Sequence, residues 1–137
     1  MLGTKLGEER GKMTGNRILP GDDYRYLKLE MSFQASGTLI GVQATNMGTY
    51  VAFERVPGQI YGEGQGIFLT NTGESAIWKG HGIGHMTGKG MGMSFRFSVA
   101  VQAPAKGKLA RLNNVLVIGE HEVDANGNVH NQTWEWK

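Results

Sequence analysis

The sequence predicts an all-β fold: a closed antiparallel up-and-down (meander) barrel of about eight strands. Three observations lead there. Apolar and polar residues alternate with period two almost everywhere after Tyr24, and helical period is nearly absent. Turn signals built on Gly, Asn, Asp and Pro recur at short intervals, so successive strands have short connections. An open eight-stranded meander would leave two bare edges, and closing the sheet removes both. A two-sheet sandwich is the alternative, but short, successive connections favour the barrel.

Residues 1–23 read as an N-terminal arm, peripheral or poorly ordered, because they are Gly-rich, polar and without hydrophobic period. Residues 24–137 read as a single β-barrel domain. Its first strand carries Leu27, Leu29, Met31 and Phe33 on one face, with Lys28, Glu30, Ser32 and Gln34 on the other. A turn at Ser36-Gly37 leads to a second strand over 38–45. Asn46-Met47-Gly48 turns the chain into a third over 49–56. Pro57-Gly58 opens the fourth, 59–70. Asn71-Thr72-Gly73 reads as a three-residue hairpin loop with Gly in the left-handed position. The fifth strand is 75–87, and Gly88-Lys89-Gly90 turns again. Met91, Met93, Phe95, Phe97, Val99 and Val101 form a strict apolar stripe on the sixth. After a loop at 103–107, the seventh strand spans 109–123. Asp124-Ala125-Asn126-Gly127 turns into the last, 129–136.

Composition narrows the function classes. The 137 residues fit one domain. Zero cysteines exclude a disulfide scaffold, a cysteine-based zinc site, an iron–sulfur cluster and a thiol nucleophile. No apolar run approaches the roughly 20 residues of a membrane helix, and the N-terminus lacks the apolar stretch of a secretion signal. A soluble cytoplasmic protein with no membrane partner is expected. Residues 1–17 hold Lys5, Arg10, Lys12 and Arg17 against Glu8 and Glu9, which accounts for the whole net charge of +2. The body is neutral and lacks the basic face of a nucleic-acid binder, so no nucleic-acid partner is expected.

Four motifs occur in order: Gly62-Glu63-Gly64-Gln65-Gly66, Trp78-Lys79-Gly80-His81-Gly82-Ile83-Gly84, Leu109-Ala110-Arg111-Leu112-Asn113 and Trp134-Glu135-Trp136-Lys137. Together they resemble a family of small bacterial proteins of unknown function whose fold is similar to the eight-stranded barrel of plant allene oxide cyclase. The resemblance spans 61–137 and implies a barrel. It implies no mechanism, and no functional residue carries over.

The 22 glycines are about twice the usual share. A loop at Asn71-Thr72-Gly73 sets Gly64 against Gly80 and Gly62 against Gly82, so six glycines line one face of one hairpin. Strand glycines at this density imply sharp curvature, or a seat for a bulky group such as Trp134, Trp136 or Phe68. The glycines lie inside a strand with no helix following, so a dinucleotide-binding turn is excluded. Gly88-Lys89-Gly90 lacks the spacing of a phosphate loop.

The opposite hairpin face pairs Glu63 with His81 and Gln65 with Lys79, each within cross-strand reach. A carboxylate beside an imidazole is a general acid/base pair if it faces inward. Arg111 and Asn113 share a face of the seventh strand with His121. A buried Arg111 would need a carboxylate, Glu63 or Glu120, or an anionic ligand. His81 and His85 lie about 13 Å apart on a strand, too far for one ion, so no metal or cofactor is expected. The expected role is a small-molecule-binding barrel for an apolar or amphipathic ligand, with Glu63, Lys79, His81, Arg111 and Asn113 as its polar groups. An isomerase or cyclase using Glu63–His81 is the first alternative. A non-catalytic oligomeric interaction protein is the second, and a homo-oligomer is expected.

Overall fold

The computed structural model describes residues 1–21 and 27–137. The boundary expected at 23/24 lies outside the described residues. Eight strands follow one another: β1 Leu2–Leu19, β2 Lys28–Leu39, β3 Val42–Val56, β4 Gln59–Thr70, β5 Ser75–Met86, β6 Met93–Gln102, β7 Leu116–Val123 and β8 Asn128–Trp136. Each pairs antiparallel with the next, and β1 pairs with β8 to close the barrel. The closed antiparallel meander is the fold the alternation predicts.

Three expectations are corrected. Residues 2–19 are not a peripheral arm. They form β1, which hydrogen-bonds to β2 on one side and β8 on the other. The register shifts at Leu2/Lys5, Lys5/Gly7 and Met13/Gly15, and these irregularities break the two-residue period. The seam with β8 is held by side chains as well. Glu8 meets His130 at 2.7 Å, and Lys5 Nζ donates to Gln132 at 2.9 Å.

The turns expected at Ser36-Gly37 and Asn46-Met47-Gly48 are strand interior. The chain reverses instead at Ile40-Gly41, where both residues have positive φ, 44° and 78°. That is the paired left-handed geometry of a tight hairpin, in which Leu39 faces Val42. Ile40 disguises it, because a β-branched residue rarely takes that conformation. The count of eight therefore holds for different strands: two expected turns give way to one, and the expected arm supplies a strand.

The seventh strand is shorter than the expected 109–123. Residues Ala110–Asn114 form a 3-10 helix in the β6–β7 connection. Leu109 and Leu112, at 0% and 1% exposure, point into the core from it. Their three-residue spacing puts them on one face of a 3-10 turn.

Inward residues alternate along every strand from β2 onward. Met31, Phe33 and Ala35 on β2 and Tyr50 and Ala52 on β3 face the same interior as Phe95 and Val99 on β6. Among the described residues, no helix is long and apolar enough to cross a membrane.

Candidate functional site

The glycine face of the β4–β5 hairpin points inward, with the expected pairings Gly62–Gly82 and Gly64–Gly80. The bulky group seated there is Trp78, not Trp134 or Trp136. A Cβ at Gly48 or Gly66 would fall on the Trp78 six-membered ring, so both positions must be bare. Trp134 lies on the outer side with Lys5 over its ring at 5.9 Å, and Trp136 is exposed. Gly62 differs from Gly66: a Cβ there would meet nothing closer than Phe95 Cε1 at 3.6 Å. Space is left over at this point, as a cavity of about 90 Å³. Its walls are mostly apolar and include Phe33, Phe68, Trp78, Phe95 and Val99.

One chain of polar side chains runs along this cavity. Trp78 Nε1–H can only donate, and it donates to Asn46 Oδ1 at 2.8 Å. This fixes the Asn46 amide, whose Nδ2 then donates to Glu9 Oε1 at 2.6 Å. Asn131 Nδ2 donates to the same Glu9 oxygen at 2.8 Å. Its Oδ1 must therefore accept, so His121 carries its proton on Nδ1 and donates over 2.6 Å. The bare His121 Nε2 accepts from the Tyr50 hydroxyl at 3.1 Å. Every proton in the chain points toward Glu9.

The electrostatics follow from burial. Desolvation raises the Glu9 carboxyl above its ordinary value, opposed by the hydrogen bonds from Asn131 and Asn46. Desolvation lowers the His121 imidazole and keeps it neutral, as the tautomer requires. It also raises the Tyr50 hydroxyl, which stays a donor. Phe33, Tyr50 and Phe95 surround the His121 ring at centroid distances of 5.1, 5.4 and 6.1 Å. Both described hydrogen bonds to Glu9 fall on Oε1. Glu9 is also one of the residues that line the cavity.

Of the expected site residues, Glu63, Lys79, Arg111 and Asn113 lie elsewhere, and His81, though exposed, borders the cavity. Glu63 does face His81 and Gln65 does face Lys79 in register, but all four are exposed on the outer surface. Glu63 Oε1 accepts from the Tyr61 hydroxyl at 2.7 Å. The acid/base pair expected inside the barrel does not form there. Arg111 sits on the 3-10 helix at half exposure and pairs with Glu135 at 3.1 Å, not with Glu63 or Glu120. Asn113 binds the main chain of Ala103 at both ends, accepting at 2.7 Å and donating at 3.1 Å. Both residues fasten the β6–β7 connection and do not line the cavity.

Glu9, Asn46, Tyr50, Trp78 and Asn131 were missed, and His121 was grouped with the wrong partners. A signal existed for three of them. Asn46 is in phase with Val42, Ala44, Tyr50 and Ala52, and Asn131 and His121 are in phase with buried valines. Polar residues in the apolar phase of a strand are buried by register. Glu9 had no such signal, because β1 is irregular.

Comparison with known proteins places the fold and stops there. The chain is similar to a conserved protein of unknown function from Rhodopseudomonas palustris, with a TM-score of 0.79, 14% identity, and 98% of this chain and 97% of that one covered. It is similar to a protein of unknown function from Clostridium acetobutylicum, with a TM-score of 0.80 at 10% identity over 96% of both chains. A β-barrel-like protein from Acinetobacter baumannii matches with a TM-score of 0.80 at 10% identity, over 100% of this chain and 96% of that one. No family model and no curated protein matches the sequence.

Proposed function

We propose that the barrel binds a small molecule in its interior, with Glu9, His121 and Tyr50 as the polar end of the site and aromatic rings as its walls. The observation that carries this is Glu9: a carboxylate oriented by two asparagines, in the lining of a mostly apolar cavity. A buried carboxylate with no cationic side chain among the described cavity-lining residues is expensive to keep in a purely structural network. The cavity is smaller than the roughly 300 Å³ of a drug-sized site, so the ligand has few heavy atoms. Cytoplasmic placement is part of the same proposal.

The test is a fragment screen by protein-observed NMR on the full chain. Compounds of three to six heavy atoms are expected to shift the Trp78 indole and the Gly62 and Gly64 amides. Gly62→Leu, whose side chain would fill the cavity, is expected to abolish those shifts. Shifts confined to the outer surface, or indifferent to Gly62→Leu, would refute the interior site.

A homo-oligomer has its own support. Met47, Ile67 and Ile77 are cross-strand neighbours on β3, β4 and β5, and form an apolar row on the outer surface. Light scattering on wild type and Ile77→Glu tests it; equal, monomeric masses would rule it out.

A further inference from the structure

We infer that the ligand is a small organic ammonium ion, held by the Glu9 carboxylate through an N–H donor and by the faces of the surrounding aromatic rings. This rests on the proposed interior site and names the class of molecule that fits it.

Among the described residues lining the cavity, Glu9 is the only acid, and there is no lysine or arginine. His121 is neutral and spends its one proton on Asn131. The Asn46 and Asn131 amides each give one N–H to Glu9, and the Tyr50 hydroxyl donates to His121. The cavity thus offers a negatively charged acceptor, and no described lysine or arginine lines it to meet an anion. An isolated buried carboxylate is costly unless a positive partner reaches it.

The walls favour the same partner. Phe33 and Trp78 lie roughly parallel, 24° apart with centroids at 6.4 Å, and Tyr50 meets Phe95 edge to face at 5.7 Å. Ring faces attract cations, most strongly where water is excluded. An ammonium N–H to a carboxylate is also a charge-assisted bond, roughly twice as strong as a neutral one. A cavity of about 90 Å³ admits a short, branched alkyl group on that nitrogen and little more.

Three probes that share one isopropyl group separate the classes: isopropylammonium chloride, isopropanol and sodium isobutyrate. Each is titrated into the isotope-labelled full chain at constant ionic strength, following the Trp78 indole. Isopropylammonium is expected to bind at least tenfold more tightly than isopropanol, and isobutyrate not at all. Glu9→Gln keeps an oxygen for both asparagines and removes the charge. It is expected to weaken isopropylammonium at least tenfold and to change isopropanol less than threefold. Should Glu9→Gln not fold, the wild-type preference decides alone.

Isopropanol or isobutyrate binding as tightly as the ammonium overturns the cation and leaves the small-molecule site standing. So does ammonium binding that ignores Glu9→Gln. No response of the Trp78 indole to any of the three probes, nor to the wider fragment set, overturns both readings.

Discussion

Gly66 and Gly62 lie four residues apart on the inward face of β4, and they respond oppositely to the same methyl group. Neither has a positive φ, so backbone strain is not the issue. At Gly66 a Cβ would strike the Trp78 ring and the Met47 carbonyl oxygen. Neither can yield freely. The carbonyl belongs to the β3–β4 ladder, and Trp78 is anchored through its indole to Asn46. Overpacking costs about 1–3 kcal/mol, and a displaced indole forfeits about 1 kcal/mol of hydrogen bonding. Gly66→Ala is therefore expected to lose about 2–4 kcal/mol in total. At Gly62 the added methyl meets ordinary van der Waals contact at 3.6–3.8 Å. Restricting the unfolded chain then gains about 0.4–1 kcal/mol. Urea unfolding followed by circular dichroism measures both variants. Thermal midpoints should move by about 3–5 °C per kcal/mol for a chain of this size. If both variants lose the same stability, the glycines serve strand coiling and the seating of Trp78 is refuted.

Three more outcomes are expected. Burial raises the Glu9 carboxyl above the ordinary 4.5, so the folded state holds this proton more tightly than the unfolded chain does. The wild type is then stabilised most below that value and loses stability as pH rises through the raised one; the advantage of Glu9→Gln in thermal unfolding should grow from about pH 4 to pH 8, and a constant difference would contradict the assignment. Arg111→Ala removes a half-exposed ion pair whose partner Glu135 keeps Lys137 at 3.5 Å, so chemical denaturation should show a loss of about 0.5 kcal/mol, with isopropylammonium binding unchanged. Deleting residues 1–12 strips pairing from β2 and β8 together, and size-exclusion chromatography should show aggregation where a detachable arm would leave a clean peak.

The β4–β5 hairpin was legible to the residue, because Gly73 sits at φ 91° in a loop whose length sets the register. Its facing was not. Alternation assigns two faces without saying which is inside, and here the bare face is inside because Trp78 fills it. Gly37, Asn46 and Gly48 looked like turn residues for a related reason. Backbone or aromatic rings approach the two glycines closely, and Asn46 is buried in the polar chain. Local propensity carries no trace of such long-range contacts. Arg111 and Asn113 looked like cavity residues only while 109–115 was read as strand. The 3-10 turn gives that stretch a different period and turns both side chains away from the interior.

The β1–β8 seam has a consequence for how the chain folds. Every other pairing in the barrel is a hairpin that can form locally. This one joins Glu8 to His130, 122 positions apart, and closing so long a loop carries the largest entropic cost of any ladder here. Pairing of that separation forms late and limits the folding rate. Until it forms, the outer edges of the sheet stand open to other chains. The side chains waiting there are Lys5, Glu8, Arg10 and His130, and charge on an open edge opposes pairing between molecules. The ionic contacts that fasten the finished barrel therefore also keep its unclosed edges soluble during the slowest step.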